Sequence, residues 1–332
     1  MDNSKFILKE VDEFLVSQYH DFLPNKIFDA HMHLPYGRSI PSLQGTGVYV
    51  RDAFTPEHYL NDMGALLPGV KEIRLNMMPM PADRALRDRE NGLRDLGNDH
   101  VFLMHKLHSK NVVTPLILPS DTEEYLFQLA DQAGCMGFKC YAYMAGVADL
   151  EETQIGQFLP ESAWVVANER KLPIFLHLFR RSALSDPDNF LYITTMTHRY
   201  PNAQLVLAHC ARGFASWTLM KAIKKLEDQG NIWFDLSAIC ETGPMMACIL
   251  KNAGKRTIWG SDYPCTMCRG RAVSIGNWQN WLLDDNYKGP ERALLPAENL
   301  MAFYQTALLL NLDQTQINDI FNNNAELLFY KA

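Results

Sequence analysis

A single parallel α/β barrel of eight strands is the fold this sequence predicts, and two observations predict it. Eight short apolar runs alternate with longer amphipathic stretches along most of the 332 residues. Each run is rich in Val, Ile, Leu and Phe at consecutive positions, as strands covered on both faces must be. Eight is also the number of strands that closes such a barrel, and one barrel with insertions fills a chain of this length. An open doubly wound sheet would carry a glycine-rich phosphate loop after its first strand. Here the first run is followed by His31-Met-His33-Leu-Pro, which cannot serve as one.

The elements follow in order. Residues 5–23 read as an amphipathic helix ahead of the barrel. The predicted strands are 26–30, 70–76, 112–118, 136–140, 173–177, 204–208, 232–236 and 257–260. Between them, Thr55-Pro56 places an N-cap before a proline at the first helical position. Ser120 to Glu123 fits a capping box, and Asp186-Pro187 opens another helix. Residues 296–330 read as one or two closing helices. One domain results: an N-terminal helical extension (1–25), the barrel (26–295) and C-terminal helices (296–332).

Composition narrows the class. Hydrophobic residues make up 47% and charged residues 21%, enough to bury a large core without disulfides. The net charge of −7 argues against nucleic acid as the main partner, since phosphate binding relies on clustered Lys and Arg. No apolar run approaches the length that crosses a bilayer, and the first residues lack the pattern of a signal peptide. The seven cysteines are scattered and odd in number, which suits reduced thiols in a cytoplasm. The spacing of Cys265 and Cys268 is C-x-x-C, but no second pair completes a zinc site, so both are read as loop cysteines.

The polar residues that end the apolar runs carry the chemistry. The first strand leads into His31 and His33, two residues apart and therefore on one side of an extended segment. The fifth ends at His177, the sixth leads into His209, and the eighth into Asp262. In a parallel barrel all strand C-termini share one face, and that face holds the active site. Four of the ten histidines and one aspartate thus converge on one cavity mouth. Imidazoles with a carboxylate suit a catalytic divalent metal such as zinc. The other histidines (20, 58, 100, 105, 108 and 198) fall in helices or at their ends and receive no role.

These residues resemble the amidohydrolase superfamily, in its amidohydrolase-2 (amidohydrolase-related) branch. The pieces are Asp29-Ala-His-Met-His33, Gly137-Phe-Lys139, His177, Leu207-Ala-His209-Cys and Trp259-Gly-Ser-Asp262-Tyr-Pro264. The Asn324-Ala325 pair before an apolar end completes the set, so the resemblance runs from residue 29 to 329. It implies that His31, His33, His177 and Asp262 bind a divalent metal, zinc ahead of manganese and one ion ahead of two. It implies that His209 acts beside the metal as general acid/base or polarises the substrate, and that Asp262 also takes a proton from water. Lys139 would bridge two ions if carboxylated, or face the substrate; its plainer reading is a strand-end lysine paired with a barrel carboxylate.

Arginines gather on the same face: Arg180 and Arg181 after His177, Arg212 after His209, and Arg269 and Arg271 after Asp262. Guanidinium forks match carboxylates, so a small anionic, carboxylate-bearing substrate is expected, contacted by Arg212 first and by Arg180 and Arg269. Glu241 is a further wall candidate, and Met77, Met78 and Met80 are candidates for an apolar wall. The segment 34–54, with three glycines, is read as a lid or as an insertion at a subunit contact in a homo-oligomer. The expected reaction is hydrolysis of an amide, ester or lactone. The alternative is non-oxidative decarboxylation by a lyase of the same superfamily. Those relatives usually carry a Gly-Gly turn after the sixth-strand histidine, whereas this chain has His209-Cys-Ala-Arg-Gly213. A sugar-acid isomerase would carry a His-Trp-Arg segment, which is absent, and a metal-free binding protein is disfavoured because every ligand position is filled.

Overall fold

The first apolar run and its two histidines form one strand, β1 (Lys26–His33), buried at every position after Lys26. The structure is a computed structural model and describes residues 8–36, 53–80, 92–147, 149–227, 229–276, 278–283 and 289–330. Seven further strands follow in the predicted order: β2 (Glu72–Met78), β3 (Val112–Val113), β4 (Phe138–Cys140), β5 (Pro173–Leu176), β6 (Gln204–Leu207), β7 (Ile232–Asp235) and β8 (Thr257–Ile258). Most are shorter than their apolar runs, because regular pairing stops where the chain bends into a loop, while β1 runs three residues further.

The strands pair in parallel, β1-β2-β3 in one sheet and β4-β5-β6-β7-β8 in another. Two seams join the sheets. Parallel bridges Val113–Cys135 and Leu116–Lys139 connect the β3 segment to the β4 segment. At the other edge, Ala30 N donates to Trp259 O (3.1 Å) and Asp262 N donates to His31 O (2.7 Å). The ring is thereby closed into a (β/α)8 barrel, which removes both sheet edges.

Helices wrap the ring, and their starts are chemical. Asp186 accepts from Asp188 N and Asn189 N (both 3.1 Å) ahead of Pro187, as the sequence predicts. The helix Glu123–Ala130 is capped by Thr122, whose hydroxyl accepts from Tyr125 N (3.3 Å), rather than by Ser120. Before the barrel, the helix Glu10–Tyr19 is keyed in place by buried Asp12, which accepts from Leu294 N (2.7 Å) and Arg269 Nη2 (2.8 Å).

The core lies in two places. One layer fills the space between ring and helices. A second, built from Phe28, Phe175, Val206, Trp233 and Ile258, fills the N-terminal half of the barrel and is closed by the last helix, Asn324–Tyr330. Phe329 packs 5.2 Å from Phe28 and 6.3 Å from Phe175, measured between ring centres. With that end plugged, only the C-terminal mouth is left for chemistry.

One element was not foreseen. Residues after Asp262, read as a loop, include an antiparallel hairpin, β9 (Gly270–Ile275) and β10 (Trp278–Leu283). The segment 34–54 falls mostly outside the described residues. Among the described residues no helix is long and apolar enough to cross a membrane.

Candidate metal centre

The site is assembled where β1 and β8 meet. Asp29 Oδ1 accepts from His31 N (3.1 Å) and Ser261 N (3.0 Å), fixing one strand end against the other. Gly260 permits the contact. A Cβ there would stand 2.6 Å from His31 Cβ and 2.8 Å from His31 N, closer than any side chain allows. Asp262 follows in the left-handed region (φ 54°), a conformation that costs a non-glycine residue about 1–2 kcal/mol and that clusters at functional sites. Its Oδ1 lies 3.2 Å from His33 Nε2 and 3.6 Å from His31 Nε2.

Hydrogen bonds on the far ring nitrogens decide the protonation of the histidines. His31 Nδ1–H donates to Asp235 Oδ2 (2.5 Å), His33 Nδ1–H to Pro79 O (3.2 Å) and His209 Nδ1–H to Ser237 O (3.1 Å). The two carbonyls can only accept. Asp235 can only accept as well, because its carboxyl stays ionised: burial would raise its pKa, but His31, the Ser237 hydroxyl and His209 hold it at about 2. All three rings therefore carry the proton on Nδ1 and leave a lone pair on Nε2. Burial and the neighbouring Lys139 push the His31 pKa down to about 4, so it is neutral at physiological pH.

Ligand atoms of His31, His33 and Asp262 lie within 4.8 Å of one another, and so do those of His31, His209 and Asp235. In the second group His31 and Asp235 are already joined by their hydrogen bond. The first group turns both Nε2 atoms toward the Asp262 carboxylate, and its donor set of two imidazoles and a carboxylate fits a divalent cation such as zinc or manganese.

Around this triplet sit the other predicted residues. Buried Lys139 places Nζ 3.5 Å from His31 Nε2, and burial lowers its pKa. His177 stands apart from both triplets, its ring 5.0 Å from that of His209. Its buried Nδ1 has no hydrogen-bond partner among the described residues, an orphaned polar atom that a bound group would satisfy. Burial, reinforced by His209, Lys139 and Arg212, keeps this ring neutral.

His209 and Arg212 are aimed by strained backbone. Residues 209–212 are four consecutive non-glycine residues with φ between 50° and 58°. This left-handed turn sends both side chains into a cavity of about 430 Å³, which His177 and Asp262 also line. Tyr143, Phe179, Phe214 and Trp281 supply aromatic walls.

The arginines divide. Arg212 lines the cavity without an ion pair among the described residues, and burial lowers its pKa. Arg180 is committed to Asp186 (2.9 Å) and Asp188 (2.8 Å), Arg269 to Asp12 (2.8 Å), and neither lines the cavity. Glu241 accepts from Ser216 Oγ (2.7 Å) and Ser274 N (2.6 Å), tying the hairpin to the barrel. Cys265 and Cys268 line the cavity wall, and Met80 Sδ lies 4.0 Å from Cys265 Sγ.

Three site residues escaped the sequence reading. Asp235 ends the apolar run Ile232-Trp-Phe-Asp235, the same signal that marked the histidines. Ser237 follows two residues on and donates to Asp235 Oδ2 (2.7 Å). Tyr141, two residues beyond Lys139, brings its hydroxyl 3.3 Å from His33 Nε2.

No curated protein matches the chain significantly in sequence. Among solved structures, an amidohydrolase from Burkholderia multivorans with bound zinc aligns over 91% of this chain and 98% of its own, at 13% identity and a TM-score of 0.62. A probable 2-pyrone-4,6-dicarboxylic acid hydrolase from Acinetobacter baumannii, with citric acid bound, aligns over 91% and 98% at 12% identity and a TM-score of 0.55. The 5-carboxyvanillate decarboxylase of Novosphingobium aromaticivorans, complexed with manganese, aligns over 92% and 96% at 12% identity and a TM-score of 0.56. These likenesses establish the shared fold. The amidohydrolase family model matches residues 28–330, nearly the whole chain, and the chain belongs to the amidohydrolase family.

Proposed function

We propose that this chain is a metal-dependent hydrolase that cleaves a C–N or C–O bond in a small, carboxylate-bearing amide, ester or lactone. One observation carries the reading: Nε2 atoms of His31 and His33 converge with an ionised Asp262 at the edge of a cavity lined by Arg212, which has no ion pair among the described residues. His31, His33 and Asp262, with His177 nearby, would hold a divalent cation, which would make water available as a nucleophile near neutral pH. One cation is favoured over two, because His31 Nδ1 and Asp235 are engaged with each other.

The side chains supply the rest. At neutral pH the Asp262 carboxyl is ionised, as carboxylates ordinarily are. Asp262 is therefore a base at neutral pH and takes the proton of the attacking water on its carboxylate. His209, fixed through Nδ1 by Ser237, presents its Nε2 lone pair to the cavity, where it would relay to the leaving group the proton that Asp262 takes from water. Arg212 binds the substrate carboxylate; its half-buried position strengthens that pairing.

The aromatic walls favour a second reading, decarboxylation of an aromatic acid. The two reactions differ in the fate of water. Zinc- or manganese-loaded enzyme is incubated with carboxylate-bearing amides, esters, lactones and hydroxybenzoates in heavy-oxygen water. Hydrolysis puts the label into product without CO2 release. CO2 release without label in the product overturns the hydrolase reading in favour of the lyase.

A further inference from the structure

Beside the metal cavity lies a second one, of about 290 Å³, which shares Arg212 and Trp281 with it. Its remaining walls include Arg181, Glu151, Trp217 and Trp278. Neither Arg181 nor Arg212 has an ion pair among the described residues. The Arg181 guanidinium lies 5.8 Å from the centre of the Trp278 ring, and the Glu151 side chain accepts from the Arg181 backbone N–H. Two guanidiniums against one carboxylate leave the pocket a net positive charge.

Aromatic faces link this pocket to the centre. Phe214 stacks on His209 at 5.5 Å, and Trp281 meets Phe214 edge-on at 5.0 Å. Trp278, at the tip of the hairpin, is 57% exposed and lines the outer pocket next to Arg181. The hairpin is not loosely placed. Besides the Glu241 contacts, Arg271 pairs with Glu298 (3.1 Å) at its base.

We propose that β9–β10 and Arg181 form an outer subsite for a second, anionic end of the substrate, beyond the carboxylate that Arg212 binds. A flat or aromatic spacer joins that end to the group that reacts. The proposal rests on the metal centre being where the substrate reacts. It extends the specificity from a lone carboxylate beside Arg212 to an elongated planar dianion. Stacking on Trp281 and Trp278 fixes the spacer, and the Arg181 guanidinium pairs with the distal carboxylate.

Binding tests this without turnover. Titration calorimetry on the zinc-loaded protein compares 2,6-naphthalenedicarboxylate with 2-naphthoate. The dicarboxylate is expected to bind about tenfold tighter, as for one added charge-assisted pairing. Arg181→Gln should abolish that preference while leaving 2-naphthoate unchanged, Arg181→Lys should keep part of it, and Trp278→Ala should weaken both ligands. Equal affinity of the two ligands for the wild type, or a preference that survives Arg181→Gln, overturns the subsite. The readout is independent of whether the reaction proves to be hydrolysis or decarboxylation.

Discussion

At the scale of single side chains, proton placement decides what the cavity can hold. Asp235 touches no substrate in this account; it holds the His31 ring in the tautomer that exposes Nε2. Asp235→Asn removes the charge that supports this hydrogen bond and is expected to weaken metal binding about tenfold, within the range for such orienting partners. Competition with a chromophoric chelator measures it, and an unchanged affinity would count against tautomer control. Arg212→Gln should raise KM for carboxylate substrates about tenfold with a smaller change in kcat, as the loss of a charge-assisted hydrogen bond implies. An unchanged KM across a panel of anions would remove the anion pocket. His31, His33, His209 and Asp262 were legible in the sequence because each follows an apolar run, and the barrel turns chain order into convergence. Asp235 gives the same signal but was enclosed within a strand read as far as residue 236. The engagement of Arg180 with Asp186 and Asp188, and of Arg269 with Asp12, was not legible, since spacing does not say which carboxylate a guanidinium meets.

At the scale of elements, the site depends on two backbone devices. The left-handed turn at 209–212 aims His209 and Arg212, and Gly260 lets β8 press against His31. Gly260→Ala forces a methyl group into the space of the His31 Cβ and backbone nitrogen. It should destabilise the protein by about 1–3 kcal/mol, as overpacking does, and lower metal occupancy in the folded fraction. Thermal melting with metal analysis checks both, and a variant with wild-type occupancy would show that the contact does not position His31. Neither device could be read from the sequence, because nothing in His209-Cys-Ala-Arg212 marks a left-handed turn. The hairpin was closer to legible. Gly276-Asn277 between two strand-like runs is a recognised hairpin signal, which the loop reading after Asp262 passed over.

At the scale of the whole molecule, one end of the barrel is sealed and the other is reactive. Phe329 belongs to the seal, against Phe28 and Phe175. Phe329→Ala should cost about 3–5 kcal/mol by leaving a cavity there, while the proposed metal ligands at the opposite mouth are untouched. Denaturant unfolding gives the cost; a loss below about 1 kcal/mol would mean the last helix is not a structural plug. The ring of strands was legible from its apolar runs, whereas its closing seams are backbone contacts that no side-chain pattern records. The central proposal is that the triplet of His31, His33 and Asp262 holds a metal at the barrel mouth. Elemental analysis of the protein purified after zinc loading, with His33→Ala alongside, tests that most directly. The account predicts one equivalent of metal in the wild type and its loss in His33→Ala, with an unchanged circular dichroism spectrum. A wild type that holds no metal, or a His33→Ala variant that retains the full equivalent, would contradict it.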